Sequence, residues 1–234
     1  MVERGTLMTG WSWYGKRARP DRKEAVTLGG AVLLAAGRGR RIGGRPKSLL
    51  RVDGDLLIQR QLRVLQGLGV APVVVVLGHY ASTITEALSE ESGLIIVCQP
   101  SDDHSQSSSL RLGLSALLAT GHGVVVSPLD MPLLDESAYR ALLDAWSFRK
   151  ASTTVLGPVV NGQPGNPVVI RGDILPSIIA GEGPYGSGRW RGTDSPGLEH
   201  WESENPAYIT DIDTEEDRVR VASQFGLSLV WGES

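Results

Sequence analysis

The sequence has one cysteine, no apolar run long enough to cross a bilayer and no large excess of either charge. A lone Cys98 excludes an intramolecular disulfide and a cysteine-rich metal site. Its place after the apolar stretch Leu94–Val97 predicts a buried core thiol. Without ~18 consecutive apolar residues, no segment reads as a transmembrane helix. A net charge of −3 does not favour generic nucleic-acid binding. The histidines His79, His104, His122 and His200 show no ligand spacing, which argues against zinc. A Gly-x-Ser-x-Gly elbow is missing, which argues against a hydrolase triad. These absences fit a soluble protein of the reducing cytoplasm, with neither membrane nor nucleic acid as partner.

What is present begins after residue 28. Residues 1–28 carry six basic and three acidic side chains, with Trp11, Trp13 and Tyr14 among polar residues and no period. They read as a disordered extension ahead of a domain at 29–234; the alternative is that the aromatics dock on the domain or on a second subunit. From Gly29 onward, apolar runs of strand length (Ala31–Ala36, Pro72–Leu77, Gly93–Cys98, Gly123–Ser127) alternate with helical patterns over Leu56–Leu68, Ala81–Glu91, Ser107–Thr120 and Asp135–Phe148. That alternation predicts an α/β fold: a Rossmann-like, mostly parallel sheet with helices on both faces. After Phe148 the rhythm changes. Ser152–Leu156 and Pro167–Ile170 predict a small antiparallel addition in the C-terminal third. Trp201–Ile209 predicts a last strand, and Thr214–Phe225 a helix with Thr214 as N-cap. Gly181–Gly197 reads as a long loop.

Ligands of open α/β sheets bind beyond the carboxyl ends of the strands, so the residues following each strand are the candidates. After the first comes Gly37-Arg38-Gly39-Arg40-Arg41-Ile42-Gly43-Gly44-Arg45-Pro46-Lys47, with five cations in ten residues from Arg38 to Lys47. Small residues bring backbone N–H groups close to a ligand, and the cations suit a polyphosphate. Arg41 and Lys47 are the candidates to neutralise phosphate charge, the alternative being an exposed basic loop. After the second strand comes Gly78-His79-Tyr80. After the third come Gln99-Pro100 and then Gln106-Ser107-Ser108-Ser109, one serine of which should cap the following helix. After the fourth, Asp130 stands between Pro128 and Pro132 on a rigid turn, a hard ligand suited to Mg²⁺. Asp135 is the better cap for the next helix. In Asp211-Ile212-Asp213, alternation puts both carboxylates on one face, where both could reach the same cation; alternatively Asp213 with Thr214 only builds the helix cap.

Leu34-Ala35-Ala36-Gly37-x-Gly39-x-Arg41-Ile42-Gly43 followed by Pro46-Lys47 resembles the Leu-x-x-Gly-x-Gly-x-Arg-Met signature of the nucleotidyltransferase superfamily. Ser107-Ser108-Ser109-Leu110, Leu129-Asp130-Met131-Pro132, Gly165-Asn166-Pro167-Val168 and Asp211-Ile212-Asp213-Thr214 resemble, in order, further motifs of the molybdenum-cofactor cytidylyltransferases, MobA-like NTP transferases. Met131 stands where those enzymes usually have Gln, Asn166 where they have His, and Gln106 where Gly-Met is usual. The resemblance implies a nucleotide-diphospho-sugar transferase-like fold and transfer of CMP from CTP to a phosphorylated acceptor, molybdopterin with its metal, with release of pyrophosphate. It places Leu34, Ala35, Ala36, Gly37 and Gly39 on the nucleotide, with Gly78, Ser108 and Ser109. It assigns the chemistry to Arg41, Lys47 and Asp130, Mg²⁺ to Asp130 and Asp213, and the acceptor to Gly165, Asn166 and Pro167. Ala35-Ala36 matches the cytidine-type loop, where guanylyltransferases have Ala-Gly-Gly. A molybdoenzyme or its chaperone is the implied protein partner. The Gly181–Gly197 loop, with Tyr185, Arg189, Trp190 and Arg191, is either an acceptor-side element or a surface loop.

Three other readings compete. One keeps the chemistry with a sugar phosphate or another small phosphorylated metabolite as acceptor. Another is a non-catalytic nucleotide binder, against which the joint presence of Arg41, Lys47 and Asp130 argues. The third is an NAD(P)-dependent oxidoreductase, since Gly37-x-Gly39-x-x-x-Gly43 loosely matches a dinucleotide fingerprint. That fold wants a carboxylate at the end of the second strand, where this chain has Leu77-Gly78-His79.

Overall fold

The run Ala31–Ala36 forms the inner part of strand β1 (Leu28–Ala35), the centre of the main sheet. The computed structural model describes residues 28–100, 105–117, 122–182 and 195–232. The extension at 1–28, apart from Leu28, lies outside the described residues. So do the end of the third expected helix and the middle of the 181–197 loop with Tyr185, Arg189, Trp190 and Arg191.

On either side of β1 lie β4 (Val73–Leu77) and β6 (Gly123–Pro128), both parallel to it, and β5 (Leu94–Cys98) pairs with the far side of β4. Alternate side chains of these strands serve opposite faces, as the pleat requires. Ala31, Leu33, Val73 and Val75 meet α1 (Leu57–Gly67) and α4 (Glu136–Ser147) through Ile58, Leu62, Leu65, Tyr139 and Trp146. Val32, Val74 and Val76 meet α3 (Gln106–Ser115) and α5 (Leu175–Ala180) through Leu110, Leu114 and Ile178. Gly113 lets α3 approach closely, since a Cβ there would sit 2.4 Å from a methyl of Val32. The expected two-faced α/β sheet is what the chain builds.

The C-terminal third adds β7 (Val155–Val160), β8 (Gln163–Pro164), β9 (Val168–Ile170) and β10 (Leu198–Glu202), and the order across the sheet is β10-β7-β9-β6-β1-β4-β5. The antiparallel addition is β9, inserted between β6 and β7, together with β8; β10 runs parallel to β7. A second, three-stranded antiparallel sheet joins β2 (Leu50–Val52), β3 (Asp55–Leu56) and β11 (Leu229–Trp231). Neither it nor α5 shows in the sequence pattern, because elements of two to six residues carry too little periodicity. The second sheet closes a separate small core of Ile42, Leu50, Val52, Leu57, Ile212, Val221 and Leu229.

Several expectations are corrected. Cys98 is exposed, not a core thiol: β5 is an edge strand with no fully buried residue, and Cys98 ends it. The N-cap of α3 is Ser105, whose hydroxyl accepts the Ser108 N–H at 3.1 Å; Ser107, Ser108 and Ser109 lie inside the helix. The strand expected over Trp201–Ile209 stops at Glu202. There Asn205 caps a single turn at Pro206–Tyr208, accepting the Ala207 N–H. α2 (Ala81–Ala87) ends short of Glu91. Among the described residues no helix is long and apolar enough to cross a membrane.

Candidate active site

The chain runs from β1 to β4 and β5 on one side of the sheet, then crosses to β6 on the other. The loops after β1 and β6 therefore diverge beside each other and leave a crevice at the carboxyl ends of the strands. A cleft of about 610 Å³ lies there.

One wall of the cleft is the Gly/Arg loop. A 3-10 turn at Arg40–Ile42 is bounded by Gly39 and Gly43, with φ of 57° and 73°. A Cβ on Gly39 would fall 2.0 Å from the Arg45 carbonyl oxygen, so left-handed backbone and close approach both demand glycine. The N–H groups of Ile42 and Gly44 both donate to the Gly39 carbonyl. From outside the loop, the Tyr80 hydroxyl lies within hydrogen-bonding distance of the carbonyls of Arg38, at 3.2 Å, and Gly44. Ile42 is buried in the small core, which ties the loop to the C-terminal elements. Leu34, Ala35, Ala36, Gly37 and Gly39 all line the cleft.

Charge converges on the loop's end. Pro46 is extended and Lys47 opens a second 3-10 turn, which aims the ammonium inward. Its Nζ donates to Asp130 Oδ2 at 3.2 Å and to Asp213 Oδ1. The Arg41 guanidinium donates to Asp213 Oδ2 at 2.8 Å, yet its side chain is 75% exposed against 21% for Lys47. Lys47 is thus half-enclosed between two carboxylates, whereas Arg41 reaches Asp213 from the solvent side. The Ile212 N–H donates to the Asp130 carbonyl at 2.9 Å, which brings the Asp211–Asp213 segment against the β6 turn. Carboxylate oxygens of Asp130, Asp211 and Asp213 lie within 4.8 Å of one another.

Burial pushes the Asp130 carboxyl above its ordinary range and the neighbouring Lys47 only partly offsets this. Burial alone would lower Lys47, but Asp130 and Asp213 outweigh it and raise its pKa. The Lys47 hydrogen bond, assisted by Arg41, holds Asp213 below its ordinary value. Three carboxylates of hard oxygen donors match a divalent cation in number and type. The cap of α6 (Glu215–Phe225) is built by Thr214 with Asp217 and not by the Asp213 side chain, whose carboxylate faces Lys47. Asp135 caps α4, so Asp130 has no capping role.

The remaining predicted residues divide. Ser109 lines the cleft, its hydroxyl donating to the buried Gln99 amide oxygen at 2.7 Å. Ser108 and Gly78 do not line it; Gly78 packs where a Cβ would lie 2.6 Å from the Ala36 carbonyl oxygen, so it shapes the nucleotide loop from behind. Gly165, Asn166 and Pro167 lie off the lining: the Asn166 N–H donates to the Tyr208 carbonyl, and Gly165 abuts the same oxygen. Three contributors went unassigned from sequence. Asp211 was recognised only as half of a pair, Gln106 lines the cleft as the first residue of α3, and Tyr80 braces the loop. Alternation within Asp211-Ile212-Asp213 signalled the first, and the positions of Gln106 and Tyr80 after strand ends were the only signal for the other two.

The sequence profile of the MobA-like NTP transferase domain matches residues 31–196. Bifunctional protein GlmU of Corynebacterium aurimucosum is 30% identical over 153 residues, covering 63% of this chain and 31% of GlmU. The chain thus spans about a third of the length of the curated relatives it matches. A nucleotidyl transferase from Methanothermobacter thermautotrophicus superposes with a TM-score of 0.66 at 26% identity, over 84% of this chain and 96% of that one. Rv0371c of Mycobacterium tuberculosis, solved also as a manganese complex, shares the fold with a TM-score of 0.69 at 22% identity, over 84% and 99%.

Proposed function

The chain belongs to the MobA-like NTP transferase family, and on that premise we propose that it moves the CMP group of CTP onto a phosphorylated acceptor, molybdopterin, and releases pyrophosphate. Nucleotidyl transfer is the coarser reaction and follows from the family. The donor and the acceptor are the finer claims. Ala35-Ala36 at the loop supports CTP, and the order of the motifs through Asp211-Ile212-Asp213-Thr214 supports the pterin.

The observation that carries the reading is Lys47, held in place between Asp130 and Asp213 at the end of a glycine-shaped cationic loop. In such a transfer an oxygen of the acceptor phosphate attacks the α-phosphorus. The bond from that phosphorus to the bridging oxygen breaks, and the electron pair leaves with pyrophosphate. No protein nucleophile is needed; positioning and charge neutralisation do the catalysis. Backbone N–H groups of the loop cradle the phosphates. Lys47 and the exposed Arg41 offset negative charge that grows on the leaving group. Asp130, Asp211 and Asp213 would hold a divalent cation, Mg²⁺, in line with the manganese complex of Rv0371c. When bound, it supplies further electrostatic stabilisation of the phosphate oxygens.

The test is pyrophosphate release in Mg²⁺ with each NTP, against molybdopterin and a panel of sugar 1-phosphates. Release with CTP and molybdopterin alone is the expected result. Release only with sugar phosphates would move the acceptor, and none with any NTP would remove the transferase reading.

A further inference from the structure

Directly beneath the Asp130 turn lies a chain of buried polar groups that the reaction does not touch. Gln61 sits on the apolar face of α1 and is 0% exposed, as are Tyr139 on α4 and Ser127 at the end of β6. Buried polar side chains need partners, and these find one another. The Tyr139 phenol donates to Gln61 Oε1, and its oxygen lies 2.9 Å from Ser127 Oγ, so that the Ser127 hydroxyl can donate back to it. The Gln61 amide nitrogen donates to the Met131 carbonyl at 3.3 Å. The two ends of this chain, Ser127 in the last pleat of β6 and Met131 just past Asp130, flank the segment Pro128-Leu129-Asp130. Ser127 and Pro128, the last residues of β6, pair with Leu33 and Leu34 of β1; past the strand end, the Leu129 N–H donates to the Leu34 carbonyl, the Asp130 carbonyl accepts from Ile212, and the Met131 carbonyl accepts from Leu134 as well as from Gln61.

We propose that Gln61 and Tyr139 are positioning residues for Asp130: their buried hydrogen-bond chain spans the turn from Ser127 to Met131 and fixes where the carboxylate points. This rests on the reading of Asp130 as a holder of the divalent cation. A Gln on a core-facing helix position otherwise filled by Leu and Ile has no packing advantage. It is there for its two-ended amide, which takes a phenol on one side and the turn on the other.

The experiment compares Gln61→Met, Tyr139→Phe and the double variant with the parent by thermal melting, Mn²⁺ binding to the nucleotide-free protein followed by electron paramagnetic resonance, and kcat. Each single variant leaves a buried polar partner unmet and loses stability. The double removes both and is expected to regain most of it. Its Mn²⁺ affinity and kcat are expected to stay roughly tenfold or more below the parent. Parent-like Mn²⁺ affinity and kcat in the double variant would overturn the proposal and leave the pair a packing role. Ser127→Ala, which removes one oxygen, covers the case in which the double does not fold. It should weaken Mn²⁺ binding in the same direction, and parent-like binding there together with Tyr139→Phe would also overturn the proposal. A parent that binds no Mn²⁺ at all removes the metal reading itself, and this inference with it.

Discussion

Lys47 stands within hydrogen-bonding reach of two carboxylates and at the end of the Gly/Arg loop. Lys47→Ala and Asp130→Ala should each lower turnover by about two orders of magnitude or more with the circular dichroism spectrum unchanged. Near-normal pyrophosphate release in both would remove the site assignment. Tyr80 is a milder case, since its phenol braces the loop through the Arg38 and Gly44 carbonyls and touches nothing that reacts. A net hydrogen bond contributes about 1 kcal/mol, so Tyr80→Phe should raise the KM for nucleotide roughly fivefold and leave kcat nearly unchanged. At this scale the residues on rigid turns, Lys47 after Pro46 and Asp130 between prolines, were legible. Cys98 was misread, because an apolar run does not reveal whether its strand lies inside a sheet or at its edge.

Among the elements, α6 was marked plainly by Thr214, which caps it in a reciprocal capping box with Asp217. Hydrogen bonds from Arg220 and the cap itself hold the Asp217 carboxyl down from 3.8 to about 2. A carboxyl depressed in the folded state stabilises the fold fully above its unfolded pKa, and that contribution is lost as pH falls through the folded value. Urea midpoints should therefore show Asp217→Asn weaker than the parent at neutral pH, with the gap closing between pH 4 and about 2. A gap unchanged down to pH 2 would rule out the carboxylate as its source. Gly113 reads in the sequence as a weak point of a helix, but α3 needs it against Val32 and Val76. Gly113→Ala should cost about 1–3 kcal/mol in chemical denaturation despite the better helix propensity of alanine.

For the whole molecule, the distinctive feature is that the C-terminal elements complete the packing of the Gly/Arg loop. Ile42 of the loop shares a small core with Val221 of α6 and Leu229 of β11, far along the chain. Leu229→Ala should cost about 2–5 kcal/mol of stability and also weaken nucleotide binding, although Leu229 does not line the cleft. Loss of stability with unchanged nucleotide affinity, by calorimetric titration, would uncouple the two.

The alternation of strand-length apolar runs with helical stripes determined the parallel α/β sheet by itself, because burial on two faces imposes its period on every element long enough to show one. The glycines, Lys47 and Asp130 were legible for a like reason, as local geometry and charge density are written within a few residues. Only the tertiary structure decided that Asp130 and Asp213, distant in sequence, share Lys47, that the 211–213 segment docks on the β6 turn, and that two- and three-residue strands close a second sheet under the loop. Those contacts join segments far apart in the chain, and their register is set by packing that no local window of sequence contains.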